Sequence, residues 1–273
     1  MIKDTKFVFM GAGSITEAIL SGLLEKNKIL GQNITILNKS NYTRLQHLNQ
    51  TYGLGMQSDL AKVVQRANIV MIAVKPKDVK SALLKWRDFI TEKQLIISVA
   101  AGVSTEYLED LLQGKNAVIR AMPNTSCAVG LSATAICKGK WATDEDEKIA
   151  AEIFSAIGMV VSVKEEMMDA VTGLSGSGPA YFYYMVEVLE KAGIYAGLEP
   201  ETARELTLQT ILGAAHMLVE TGKKPNDLRK EVTSPGGTTL AGLEVLSKYR
   251  MDQAVKEAVL RAKERSRELG QFF

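Results

Sequence analysis

Two glycine-bearing segments, far apart in the chain, could bind anions through backbone alone. Gly11-Ala12-Gly13 follows the apolar run Phe7-Val8-Phe9-Met10 and precedes a helical stretch from about Ser14. A bare backbone that turns from strand into helix can approach a diphosphate closely. It also offers unsatisfied N–H groups at the positive end of the helix dipole. Gly11, Ala12, Gly13, Ser14, Ile15 and Thr16 are therefore candidates for holding the pyrophosphate of a dinucleotide. The third position of the usual glycine fingerprint is Thr16 here, so the match is incomplete. Its place between the first strand and helix of a βαβ unit supports it. Near the other end, Val232-Thr233-Ser234-Pro235-Gly236-Gly237-Thr238-Thr239 precedes another helical stretch. Successive N–H groups in such a loop, with hydroxyls beside them, can bind a carboxylate. Gly173 to Tyr181 reads as a second glycine-rich loop before a helix, with Pro179 suited to the first helical turn. A turn with an N-cap is the plain alternative for each.

The second apolar run, Ile34 to Leu37, ends at Asn38-Lys39-Ser40, with Arg44 one turn later. An NAD site usually places a carboxylate here for the ribose hydroxyls. An amide, a hydroxyl and two cations instead suit the 2′-phosphate of NADP, which favours NADPH and leaves NADH as the second choice. The plain alternative is a solvated helix start with Ser40 as its N-cap. Ala73-Val74-Lys75-Pro76 closes another apolar run and brings Lys75 to the carboxyl edge of the sheet, where open α/β folds bind ligands. Ala100-Ala101-Gly102 follows the next run and has room for a flat ring, or is simply a close-packed loop.

Other chemistries find little support. His47 and His216 are the only two histidines and are distant in sequence. No Cys/His spacing fits a metal site, so no metal is expected. No Ser-His-Asp arrangement can be argued. Cys127 and Cys137 cannot make a disulfide framework, and reduced thiols of a cytoplasmic protein are expected.

The elements that must carry these groups fall into two halves. Up to about residue 163, the apolar runs at 7–10, 34–37, 69–74, 95–99 and 118–122 alternate with helical patterns at 14–27, 41–52, 59–67, 77–89 and 104–113. Further strands are expected near 133–137 and 160–163, with a helix at 143–157 between them. Continuous apolar strands separated by amphipathic helices predict a parallel sheet covered on both faces. Residues 164–273 lose the strand signal, and helices are expected at 180–196, 200–221, 238–248 and 251–269. These long apolar helices could pack alone or interleave with those of a second chain. A net charge of +2, from 33 Lys and Arg against 31 Asp and Glu, gives no strong field for nucleic acid or an anionic membrane. No apolar run is long enough to span a bilayer, and the first residues lack a signal-peptide pattern.

Taken together, Gly11-Ala12-Gly13 with Glu17-Ala18, Ala73 to Pro76, Ala100 to Gly102, Arg120-Ala121-Met122-Pro123-Asn124-Thr125, Leu174 to Tyr181 and Thr233 to Thr239 resemble the pyrroline-5-carboxylate reductases. The blocks run in family order through nearly the whole chain, and the last is the most specific. Ser126, Thr16 and Lys230 depart from the common pattern.

The resemblance implies an N-terminal Rossmann-type doubly wound parallel sheet (1–163, NADP-binding) and an all-α C-terminal dimerisation and substrate domain (164–273). It also implies a small-molecule substrate and a cytoplasmic homo-oligomer built from dimers, often five, with a shared active site. The implied reaction is hydride transfer from NAD(P)H, usually NADPH, to the C5=N imine carbon (proline numbering), giving L-proline. By resemblance, Thr239 hydrogen-bonds the ring nitrogen and relays or orients the proton. Ser234 and backbone groups of Gly236, Gly237 and Thr238 hold the carboxylate, Glu220 approaches the substrate amine, and Asn124 joins the cofactor site. Two alternatives stand beside it. A β-hydroxyacid-type dehydrogenase would want a Lys general acid/base between Gly173 and Val188, where there is none. A non-catalytic NADPH-sensing protein would not need Thr238 and Thr239.

Overall fold

The computed structural model describes residues 2–55 and 59–271. Among them, β1 (Phe7–Met10), β2 (Ile34–Leu37), β3 (Ile69–Ile72), β4 (Leu95–Ser98), β5 (Val118–Met122), β6 (Ser132–Lys138) and β7 (Gly158–Ser162) form a 7-stranded sheet in the order β2-β1-β3-β4-β5-β6-β7. Strands β1 to β5 are mutually parallel, so their carboxyl ends share one edge. β6 runs antiparallel to β5, and β7 parallel to β6.

Strand alternation sends neighbouring side chains to opposite faces, and both faces are covered. Phe7, Phe9, Ile34, Ile36, Ile69, Met71, Leu95 and Ile97 point into one core. There they meet α1 (Ser14–Glu25), α2 (Tyr42–Tyr52) and α6 (Asp144–Phe154) through Ile19, Leu20, Leu23, Leu48, Ile153 and Phe154. Val8, Met10, Val70, Ile72 and Ile96 point into the other core. α3 (Leu60–Arg66), α4 (Val79–Trp86) and α5 (Thr105–Leu112) close it with Val64, Val79, Leu83, Leu108 and Leu112. Each fully buried aliphatic chain contributes about 1.5–3 kcal/mol, so the uninterrupted apolar runs are what a doubly covered sheet requires.

The chain divides into two compact units. One comprises residues up to Ser177 and the stretch from Leu260 onward; the other is Gly178–Val259. The division thus lies beyond residue 163, where the strand signal stops. The reason is the segment that follows β7: a 3₁₀ turn at Glu165–Met167, α7 (Met168–Val171) and a π-helical turn at Thr172–Gly176. It packs on the sheet, with Met168 buried against Ala135 and Cys137. Arg120 Nη1 donates to Glu165 Oε1 at 2.5 Å. Ser266 Oγ of α12 (Met251–Gly270) donates to Asp169 Oδ1 at 2.7 Å, which returns the end of the chain to this unit.

The second unit holds α8 (Gly178–Tyr195), α9 (Pro200–Thr221), α10 (Pro225–Glu231), α11 (Thr238–Lys248) and the start of α12. Sequence reasoning missed α10, whose single apolar residue inside its span, Leu228, gives no periodic signal. In a single chain these helices bury little: Gly178 and Ala203 are the buried residues of α8 and α9. Phe182, Tyr183, Tyr184, Leu212, Val219 and Val245 are all exposed. No described helix is long and apolar enough to cross a membrane.

Candidate active site

The carboxyl edge of the parallel strands gathers most of the candidate residues. Gly11 N donates to Leu37 O at 2.9 Å, and Ala73 N donates to Met10 O at 2.9 Å. These bonds set the glycine turn between the ends of β2 and β3. Gly11 has φ +119°, and a Cβ there would stand 2.5 Å from Ala73 O, so both conformation and space demand glycine. A Cβ on Gly13 would meet nothing within 4 Å. Gly13 is the N-cap of α1 and makes no side-chain capping bond, so the helix start presents its N–H groups to an open surface. That open, uncapped turn fits the pyrophosphate of a dinucleotide. Thr16 is fully buried and its hydroxyl donates to Gly11 O at 2.9 Å, which explains a threonine at the fingerprint's third position.

At the end of β2, Asn38 Nδ2 donates to Asn41 O at 3.0 Å. The cap of α2 is Asn41, whose Oδ1 accepts from Arg44 N at 2.9 Å, and not Ser40. Asn41 is the residue directly before the helix, where a short side chain reaches the third amide. Lys39 and Ser40 are exposed beyond β2. Arg44 does not share that exposure. Its Nε donates to Ala12 O at 3.2 Å and its Nη2 pairs with the Glu17 carboxylate.

Past β3, Ala73 and Val74 are half-buried and Lys75 is exposed ahead of a 3₁₀ turn that begins with Pro76. Past β4, Ala100 is buried and Ala101 half-exposed. Gly102 (φ +76°) is covered by the end of α12: a Cβ there would lie 3.5 Å from Gly270 N. Close packing accounts for this glycine without a ligand. Past β5, Asn124 spends its side chain within the protein. Its Nδ2 donates to Ser175 O at 3.1 Å and its Oδ1 accepts from Ser126 N at 3.2 Å.

The second unit carries its own anion-shaped turn. Gly236 has φ +69°, and Gly237 N donates to Ser234 O at 3.0 Å. Gly237 is the N-cap of α11 and, like Gly13, has no side-chain capping bond. Thr238 and Thr239 are the first two helical residues and both are exposed, so the Thr239 hydroxyl is not the cap of its helix. Glu220 is exposed, one residue before the end of α9. The segment at Gly173 to Tyr181 differs from expectation. Its backbone is helical throughout, with Ser177 N donating to Thr172 O at 2.8 Å, so it is not an open loop of free N–H groups.

Both cysteines are buried and free. Burial, then the charge of Glu165, pushes the Cys137 thiol far above its usual range, and burial pushes the Cys127 thiol up as well. Neither is poised as a nucleophile. Among the described residues no cluster of His, Cys, Asp or Glu could hold a metal ion. Two concavities, of about 270 and 510 Å³, lie at the amino ends of the strands, lined by groups such as Lys6, Asn33 and Arg66 or Asn68, Glu92 and Lys115. They are on the opposite edge of the sheet from the glycine turn and the ends of β2 to β4, and open α/β sheets bind ligands at the carboxyl edge.

Residues 165–269 match the family described as pyrroline-5-carboxylate reductase dimerisation, and residues 6–102 match NADP oxidoreductase coenzyme F420-dependent. The chain is 44% identical over 264 residues to pyrroline-5-carboxylate reductase 1 of Bacillus spizizenii, covering 97% of this chain and 89% of the relative. It is 40% identical over 269 residues to pyrroline-5-carboxylate reductase of Methanosarcina acetivorans, covering 98% and 99%. Its structure is similar to that of a pyrroline-5-carboxylate reductase from Coxiella burnetii, with TM-score 0.91, 34% identity and coverage of 98% and 99%. It is also similar to Plasmodium falciparum pyrroline carboxylate reductase with NADP bound, with TM-score 0.85, 32% identity and the same coverage.

Proposed function

The chain belongs to the pyrroline-5-carboxylate reductase family, and on that premise we propose how its residues carry the reaction. It is an NADPH-dependent reductase of 1-pyrroline-5-carboxylate, giving L-proline in the last step of proline biosynthesis. The observation that carries the assignment of residues is a pair of uncapped helix starts. Gly13 opens α1 at the edge of the sheet, and Gly237 opens α11 in the helical unit.

The chemistry that NADPH supplies when bound is a hydride for the C5=N imine carbon (proline numbering), while the imine nitrogen arrives protonated. The protein positions and polarises. Gly11 makes the turn, its own N–H being bound to Leu37 O, and backbone N–H groups from Ala12 to Thr16 hold the pyrophosphate. Asn38, Lys39 and Ser40 hold the 2′-phosphate, and the absence of a carboxylate there sets the preference for NADPH over NADH. Ala73 to Pro76, Ala100 to Gly102 and Asn124 flank the nicotinamide half. Gly237 closes the turn through its N–H to Ser234 O, and the backbone N–H groups of Gly236 and Thr238, with the Ser234 hydroxyl beside them, hold the substrate carboxylate. The Thr239 hydroxyl accepts from the ring N–H and fixes the imine plane. Glu220 approaches the same nitrogen.

The protein is a homo-oligomer. The exposed apolar faces of α8, α9 and α11 support helical units of two chains packing together, and the finer proposal is that each site is completed by the partner's helical unit. Five such dimers would make a decamer, in the cytoplasm, where two buried thiols stay reduced. The test follows NADPH absorbance with pyrroline-5-carboxylate against a panel of hydroxy and keto acids. Turnover confined to the cyclic imine is expected. Turnover of a hydroxy or keto acid without the imine would overturn the assignment.

A further inference from the structure

The glycine turn is held from behind by two side chains and one backbone amide. Thr16 Oγ1 donates to Gly11 O at 2.9 Å, Arg44 Nε donates to Ala12 O at 3.2 Å, and Glu17 N donates to Gly13 O at 3.1 Å. All described peptide bonds are trans. In a trans peptide the C=O of one residue and the N–H of the next point in opposite directions. Each donor that grips a turn carbonyl therefore aims the following N–H the other way. Thr16 aims the N–H of Ala12, and Arg44 aims the N–H of Gly13.

Arg44 is itself fixed. Its backbone N–H donates to Asn41 Oδ1 at 2.9 Å, and its Nη2 pairs with the Glu17 carboxylate. The two side chains are only 27% and 30% exposed. The guanidinium fork thus bridges α2 to the turn and to the first turn of α1. The pair also has an electrostatic consequence. Glu17 lies within one turn of the helix start proposed to face a diphosphate, where a bare carboxylate would repel it. Arg44 cancels that charge.

We propose that Arg44, locked by Glu17, is a positioning residue for the pyrophosphate turn and not a reader of the 2′-phosphate. Its loss weakens every dinucleotide, with or without that phosphate. Lys39, exposed at the end of β2 with no hydrogen bond or ion pair among the described residues, is the cation that discriminates. This rests on the NADPH assignment above, and the experiment separates the two.

The experiment is calorimetric titration of the intact oligomer with NADP⁺ and with NAD⁺, without substrate, for wild type, Arg44→Met, Glu17→Gln and Lys39→Met. Arg44→Met should raise both dissociation constants by the same factor, about tenfold or more, the loss of a charged donor and an aimed N–H. The ratio of the two constants should stay at its wild-type value. Glu17→Gln should raise both by a smaller common factor, and it carries the same test where Arg44→Met fails to fold. Lys39→Met should weaken NADP⁺ alone. Loss of NADP⁺ affinity with unchanged NAD⁺ affinity in Arg44→Met, or in Glu17→Gln where that stands in, would overturn the proposal, and so would no change in either. Equal wild-type affinity for the two dinucleotides would instead refute the NADPH preference. The common factor in Arg44→Met would still report on the pair.

Discussion

Arg120 and Glu165 meet at the surface of the sheet, with Nη1 2.5 Å from Oε1, although 45 residues separate them. Arg120 is a side chain of β5 that is 6% exposed, and its Nη2 is buried without a partner among the described residues. The same carboxylate accepts from Cys137 Sγ at 3.2 Å and from Thr105 N at 3.4 Å. One glutamate thus ties β5, β6 and the start of α5 to the segment that leads into the helical unit. Glu165→Gln leaves a buried guanidinium with a weakened partner, at a cost of roughly 3 kcal/mol. A melting temperature several degrees below wild type is expected in a thermal scan, and an unchanged one would show that the pair contributes nothing.

The reading that the end of β2 holds the 2′-phosphate predicts a cofactor preference. A phosphate held by Lys39, the Asn38 amide and the Ser40 hydroxyl should favour NADPH by more than about tenfold in kcat/KM, or about 1.4 kcal/mol. Asn38→Asp should move the ratio toward NADH, because a carboxylate repels the phosphate. Equal kcat/KM for the two cofactors in the wild type would contradict this.

Thr239 is the second residue of α11 and Gly237 holds the cap position, so the hydroxyl has no local duty in its helix. Thr239→Val is nearly isosteric, and fold and NADPH binding should survive it. If the hydroxyl meets the ring nitrogen, kcat/KM should fall by roughly ten- to a thousandfold. Near-normal turnover would remove Thr239 from the chemistry.

The sheet was legible because period and burial agree. Phe7 to Met10, Ile34 to Leu37 and Val118 to Met122 are strands over the residues their apolar runs mark. Local backbone chemistry was legible too at Gly11, whose φ of +119° and contact with Ala73 O demand glycine. Tertiary side-chain contacts were not. The Glu17–Arg44 pair spans 27 residues and the Arg120–Glu165 pair 45, and nothing in local spacing marks them. Gly173 to Gly176 misled for a related reason: glycine and serine normally break helices, yet here Ser175 Oγ donates to Val171 O at 3.2 Å inside a π-helical turn. The charge of Arg44 is plain in the sequence, whereas its pairing with Glu17 shows only in the structure.

The apolar faces that α8, α9 and α11 leave open imply a second chain, and sharing of the site can be tested by mixing. Gly13→Glu should block the pyrophosphate turn by bulk and charge, and Thr239→Val should block the substrate step. Co-refolded in equal amounts, the two inactive variants should regain up to about a quarter of wild-type activity, because half of random twofold dimers are mixed and half of their sites are intact. No recovery, with heterodimers confirmed by native mass spectrometry, would mean that each chain builds its own site.

The central claim is a hydride delivered to a cyclic imine carbon, and isotope transfer tests it most directly. Purified protein is given pyrroline-5-carboxylate and NADPH carrying deuterium at both nicotinamide C4 positions, and the product is analysed by mass spectrometry and NMR. L-proline carrying one deuterium, at C5, is expected. Proline without the label, or label recovered only in a reduced keto acid, would contradict it.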